Sequence, residues 1–216
     1  KAPQKQVRYS LFSLLVNLHT IILAAGKGTR MHTNLPKVMQ PLAGRPMIDH
    51  VITTAGTLTN KISTIIGYKK DVINEYLSAN FKTVEIFVQP ELNGTAGAVK
   101  AAQNNIMDDE DVLILYGDVP LISHETLKNA LNDNHDAVIL TMIPKDPFGY
   151  GRVLKNDSGL ATEIIEEKDA SAEQKKINEV FTGIMIIKGE MLLSSLDEVN
   201  NNNAAGEYYL TDVIKI

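Results

Sequence analysis

Apolar residues along this chain come in short β-branched runs separated by longer amphipathic stretches. Ile21–Ala24, Ile62–Ile66, Val84–Val88, Val112–Tyr116 and Ala137–Met142 are bounded by Gly, Pro, Asn or Asp and predict strands. Between them the spacing changes to that of a helix. Pro46–Thr57 carries Met47, Ile48, Val51 and Ile52 on one face; Lys70–Leu77, Gly97–Asn104 and Ser123–Asn132 follow, the last with Ser123 as N-cap and Thr126 three residues on. This alternation predicts an α/β fold, Rossmann-like, with a mixed, mostly parallel sheet covered by helices on both faces.

After Pro144 the rhythm breaks. Arg152–Lys155 and Ala161–Glu166 flank the turn-rich "NDSG" and predict a β-hairpin. A polar helix near Ala172–Lys176, a strand over Val180–Ile187 and helices around Glu190–Leu196 and Tyr208–Ile214 complete the pattern. One domain with a hairpin-bearing second half accounts for it better than two.

Composition narrows the chemistry. The net charge is −5 and there are no cysteines, which excludes disulfides, thiol catalysis and Cys-ligated zinc and argues against nucleic acid as a partner. None of His19, His32, His50, His124 and His135 falls in a metal-ligand spacing, and no apolar run reaches the length needed to span a bilayer. Residues 1–19 combine Lys1, Lys5 and Arg8 with an apolar stretch, and Ala24-Ala25-Gly26 could pass for an export cleavage site. Against export, Asn17, His19 and Thr20 interrupt the apolar stretch, and a cut there would remove the first strand. Residues 1–19 are therefore read as an atypical leader, disordered or non-native, and 20–216 as the domain.

Ligands of open α/β sheets bind at the carboxyl ends of the strands, and three loops of unusual composition fall there. "LAAGKGTR" lacks both common phosphate-loop spacings, but Gly26 and Gly28 let a ligand approach the backbone, and Lys27, Arg30 and Lys37 supply cations. "YGD" places Asp118 after an apolar strand, where a carboxylate suits a hard cation such as magnesium; a turn or cap residue is the alternative. "QPELNGTAGA" offers backbone amides at a helix start, and Gln89, with one donor and one acceptor group, is suited to a base edge. Together these describe a phosphate-and-metal site. Chemistry at a nucleotide α-phosphate needs that and little covalent help from the protein.

The run "LAAGKGTRM…LPKVMQPLAGRPMIDHVI", with "VLILYGDVPLI", "DPFGYGRV", "IIEEKDA" and "NNNAAGEYYLTDVI", resembles the sugar-nucleotide pyrophosphorylases. It is most similar to the uridyltransferase domain of the bacterial bifunctional N-acetylglucosamine-1-phosphate uridyltransferases / glucosamine-1-phosphate acetyltransferases, over Thr20 to Ile216. The resemblance implies transfer of UMP from UTP to N-acetylglucosamine 1-phosphate with Mg2+ as cofactor. It also implies a cytoplasmic setting, supply of peptidoglycan and lipopolysaccharide precursors, and a homotrimer for the full-length family protein. By motif, Leu23, Ala24, Ala25 and Gly26 line the nucleotide, Gln89, Gly94 and Thr95 read the uracil, and Tyr116 and Gly117 lie beside the nucleoside. Arg30 and Lys37 bind phosphates as the catalytic cations, and Asp118 holds the metal. Gly151, Glu166, Tyr209 and Thr211 contact the sugar.

The sequence departs from the family pattern in places. Phe181 stands where the family has a sugar-binding Asn, and Asn93 and Gly97 stand where Leu and His are usual. The family's second magnesium ligand and its β-helix acetyltransferase domain fall beyond Ile216. These departures keep two alternatives open: another sugar-1-phosphate nucleotidyltransferase, or a nucleotide-binding fragment without turnover.

Overall fold

The computed structural model describes residues 17–28 and 33–216. Strand β1 (Leu18–Ala24) is buried along its whole length, the signature of a central strand covered on both faces. It pairs in parallel with β4 (Lys61–Ile66) on one side and with β6 (Asp111–Tyr116) on the other, and β4 pairs in parallel with β5 (Glu85–Val88). Two short strands, β2 (Pro41–Leu42) and β3 (Arg45–Pro46), form a separate hairpin that the sequence pattern did not suggest.

Because successive side chains on a strand point to opposite faces, β1 feeds two apolar layers. Ile22 and Ala24 join Ile48 and Val51 of α1 (Met47–Ala55) and Ile73 and Leu77 of α2 (Lys70–Asn80). Leu127 of α4 (His124–Leu131) belongs to that same face. Ile21 and Leu23 face the other way, towards Val99 of α3 (Thr95–Lys100) and Leu192 and Leu196 of α5 (Gly189–Glu198). Each such side chain contributes about 1.5–3 kcal/mol on burial, so the patterned helices need no strong intrinsic propensity to hold their places. The predicted cap of α4 is present: Ser123 Oγ accepts the amide of Thr126 at 3.1 Å.

The second half attaches through one long strand, β10 (Val180–Lys188). Its C-terminal part runs antiparallel between β6 and β7 (Ala137–Met142), while Val180 pairs with Arg152 of β8 (Arg152–Lys155). The ladder slips between Phe181 and Met185 as the strand changes partner. The expected hairpin is β8 with β9 (Ala161–Ile165).

Three expected helices are shorter or tighter than the pattern suggested. Gly97–Asn104 is replaced by α3 and a 3-10 turn at Gln103–Asn105; the other two are 3-10 turns at Gln174–Lys176 and Leu210–Ile214. Residues 1–16 of the leader lie outside the described residues. Leu18 and His19, read as leader, instead belong to β1. His19 is buried, with Nδ1 2.8 Å from Glu110 Oε1 and Nε2 2.8 Å from Ser63 Oγ, and Lys61 completes the network 2.7 Å from Glu110 Oε2. This network sits at the amino end of the parallel strands, away from the loops singled out for chemistry. Among the described residues no helix is long and apolar enough to cross a membrane.

Candidate active site

The chain leaves β1 towards β4 and leaves β6 towards the opposite side of the sheet, so their following loops diverge and open a crevice. A cleft of about 520 Å³ lies there. Leu23, Ala24, Ala25 and Gly26 form its floor, with Lys27 and Gly28 beyond. Gly28 has φ +59°, and a side chain there would come within 2.5 Å of the Lys37 Cβ, so the glycine lets the loop lie against the lysine stem. Lys37, at the start of a 3-10 turn, projects its ammonium to 2.5 Å from Asp118 Oδ2. The two loops thus meet across the crevice as a partly exposed ion pair. Arg30 and His32 lie outside the described residues.

After β6, Gly117 donates its amide to Leu23 O at 2.9 Å and packs against Val38, which fixes Asp118 at the mouth of the cleft. Tyr116 also lines the cleft, its ring packed so closely on Gly183 (φ +92°) that a Cβ there would lie 2.9 Å from it. Burial pushes the Tyr116 phenol above its ordinary range, with nearby Glu166 adding to the effect and a hydrogen bond to Thr95 opposing it.

The loop after β5 is closed from a distance. Gly94 adopts φ +120°, and any side chain on it would run into the backbone of Tyr208. Tyr208 donates its amide to Asn93 O at 2.7 Å and accepts from Ala96 N at 2.9 Å, and Thr95 Oγ1 accepts from Leu210 N at 2.9 Å. Of the backbone amides expected at this helix start, that of Ala96 is spent on Tyr208. Gln89 is almost wholly buried, its Nε2 donating to Gly94 O at 3.0 Å and to Asn93 Oδ1 at 3.2 Å.

The residues assigned to the sugar gather beside this cleft rather than in its lining. Gly151 lies against Ile164 and the Glu166 carboxyl, and Glu166 Oε1 accepts from Thr211 Oγ1 at 3.2 Å. Burial raises the Glu166 pKa above its ordinary value against the pull of the Thr211 hydrogen bond, and Asp169, Asp212 and Glu207 reinforce the shift. Tyr209, hydrogen-bonded to Asp169, is pushed up to about 12, mainly by burial. Phe181 is buried in the apolar cluster that Tyr116 packs on, and its amide donates to Gly151 O at 2.9 Å. Sequence reasoning missed Val38, Leu92, Ala98 and Glu207 in the cleft wall. All four stood inside quoted motifs, but Val38, Leu92 and Ala98 are apolar residues that nothing marked as more than core.

Among the described residues, no group of three or more acidic or histidine side chains surrounds a metal position. Asp118 offers one half-exposed carboxylate at the cleft mouth. That suits magnesium, which commonly takes one or two protein carboxylates and fills the remaining positions with water and substrate phosphates.

Residues 20–182 match the MobA-like NTP transferase domain. Over 205 residues, 93% of the chain, the sequence is 47% identical to the bifunctional protein GlmU of Hydrogenovibrio crunogenus, covering 45% of that protein. It is 44% identical to the bifunctional protein GlmU of Thermotoga maritima over 200 residues, 91% of the chain and 44% of the relative. The chain belongs to the GlmU family. It spans about half the length of the GlmU proteins it matches, over their nucleotidyltransferase-type domain.

The fold is shared more widely. A UDP-glucose pyrophosphorylase solved with UDP-glucose superposes with a TM-score of 0.72 at 17% identity, over 92% of this chain and 86% of the other. A putative glucose-1-phosphate thymidylyltransferase from Bacillus anthracis, in complex with a sucrose, gives 0.69 at 23% identity, over 91% and 80%. Against this background the GlmU-family chain keeps the nucleotidyltransferase fold with a mixed sheet, parallel throughout its N-terminal half.

Proposed function

We propose that this domain is a magnesium-dependent uridyltransferase that joins UTP and N-acetylglucosamine 1-phosphate to give UDP-N-acetylglucosamine and pyrophosphate. The observation that carries the reading is the Lys37–Asp118 pair across the cleft that also holds Gln89. It puts a mobile cation and a metal-competent carboxylate beside a base-reading amide. The family relationship and the nucleotide-sugar enzymes sharing the fold support it.

In this reading the sugar-phosphate oxygen attacks the α-phosphorus of UTP in line, the new P–O bond forming as the bond to pyrophosphate breaks. Lys37, released from Asp118, neutralises charge on the departing phosphates, as a point charge on a flexible stem can. Gly26 and Gly28 allow the nucleotide close to the backbone, and Gln89 reads the base. Asp118 would hold Mg2+, which when bound supplies charge neutralisation and orients the phosphates. Glu166 and Thr211 accept and donate to sugar hydroxyls, with Gly151 and Tyr209 alongside. The substrate supplies the nucleophile, so no Ser–His or Cys–His arrangement is needed. The reading carries with it a cytoplasmic setting, cell-wall precursor supply and, for the full-length protein, a homotrimer.

A second reading, transfer to a different sugar 1-phosphate, is favoured by Phe181, whose buried ring offers no hydrogen bond to an acetamido group. Pyrophosphate release from UTP, measured with N-acetylglucosamine 1-phosphate against glucose 1-phosphate and with or without Mg2+, separates the two. No release with either sugar would sink both enzyme readings.

A further inference from the structure

Two of the positions that depart from the family pattern, Asn93 and Gly97, touch each other. A Cβ built on Gly97 would land on Asn93 Oδ1 and lie 3.2 Å from Gln89 Nε2. The missing side chain at 97 is thus the space in which the Asn93 amide sits, and that amide faces Gln89. Gln89 is held from two sides. Gly94 O, a carbonyl that can only accept, lies 3.0 Å from Gln89 Nε2, and Asn93 Oδ1 lies 3.2 Å from it. Both hydrogens of the Gln89 amide are spent on its own loop. Turning the amide over would bring Oε1 against two acceptor oxygens.

The remaining Gln89 atom is Oε1. It makes no hydrogen bond among the described residues and is not sealed into the core, while Gln89 lines the cleft. Resting on the reading of this cleft as the nucleotide site, we infer that Asn93 is a positioning residue that holds Gln89 with only its acceptor oxygen towards the base, and that Gly97 makes room for it. An acceptor placed opposite ring position 3 of a pyrimidine selects the base that carries a proton there. Uracil presents N3–H there, whereas cytosine presents the N3 lone pair. Oxygen facing lone pair is repulsive, so an Oε1 held opposite N3 favours uracil and disfavours cytosine, whose only pairing-edge donor is the N4 amino group beside that position.

The test is binding of UTP and of CTP by titration calorimetry, in the presence of Mg2+. The panel is the wild-type chain with Asn93→Ala, Gly97→Ala, the double variant and Asn93→Asp. Wild type prefers UTP. Each alanine variant cuts the CTP-to-UTP ratio of dissociation constants about tenfold, the loss of roughly one hydrogen bond to a fixed amide. The double variant is no worse than either single one, because both remove the same restraint. Asn93→Asp keeps the ratio at or above the wild-type value, since a carboxylate can only accept from Nε2. A purely structural role would weaken both nucleotides equally and leave the ratio alone. An unchanged ratio in Asn93→Ala, or additive losses in the double variant, overturns the assignment while leaving the nucleotide site standing. A wild-type chain that binds neither nucleotide removes the nucleotide reading, and this assignment with it.

Discussion

At the mouth of the cleft, charge is carried by Lys37 and Asp118, both partly exposed and paired with each other; beside the cleft it is carried by a buried Glu166, whose proton affinity Asp169, Asp212 and Glu207 push up further. The first arrangement can change partners at little cost, because water reaches both groups. The second is fixed: Glu166 is held by Thr211, and Asp169 accepts from the Ala204 amide at 2.8 Å. In the proposed reaction, phosphates that arrive with a metal and leave as pyrophosphate would call for charges that can exchange. Neutral hydroxyls call for acceptors already in place, even at a cost in stability.

The contrast can be broken most forcefully at the exchanging pair. Asp118→Asn should lower pyrophosphate release from UTP by about 10²–10³-fold, as loss of a charge-stabilising group at a phosphoryl site does. The melting temperature should move little, since a partly exposed ion pair contributes only about 0–1 kcal/mol. Next in size, Lys37→Ala should cost about 10²-fold in kcat/KM for UTP and leave KM for the sugar phosphate near wild type. A rise confined to the sugar KM would mean that the lysine serves the wrong wall.

On the fixed side, Glu166→Gln should raise KM for the sugar phosphate about tenfold, the worth of one strong hydrogen bond. Burial keeps the native Glu166 protonated to higher pH than the unfolded chain, so native stability falls as pH rises through the raised pKa. The variant should therefore melt like wild type near pH 4 and above it at pH 8. Equal melting at both values would show that the carboxyl pays no burial penalty.

The smallest effect on turnover belongs to His19→Gln, at the far end of the strands. Burial holds the His19 pKa down against the opposing pull of Glu110, with Lys61 and Glu85 also facing it. The unfolded chain takes up a proton that the folded one resists, so wild-type stability should drop as pH falls below the ordinary histidine value. The variant should flatten that drop and leave the UTP and sugar KM values unchanged.

Much of this was legible from local pattern. The strands of the parallel half declare themselves by apolar runs, and "YGD" and "LAAGKG" fall at strand ends where ligands bind, so the cleft residues could be named before their contacts were seen. What escaped the sequence depends on partners far along the chain. The pairing of Lys37 with Asp118 and the closure of the Gly94 loop by Tyr208 leave no periodic trace. Neither does the fit of Asn93 into the space at Gly97, because the signal there is the absence of a side chain. The boundary of β1 was misplaced because His19 and Thr20 read as interruptions, whereas burial with Glu110 and Ser63 makes the histidine part of the strand.

The contact between Thr95 and Leu210 joins residues 115 positions apart, and Tyr208 bonds to Asn93 and Ala96 beside it. During synthesis, at roughly 5–20 residues per second, the base-reading loop therefore waits on the order of ten seconds for the segment that completes it. Until then the strands of the parallel sheet are all present, but the cleft lacks the segment that closes the Gly94 loop. On the proposed reading, the loop that recognises the base is completed only once Tyr208 and Leu210 have left the ribosome.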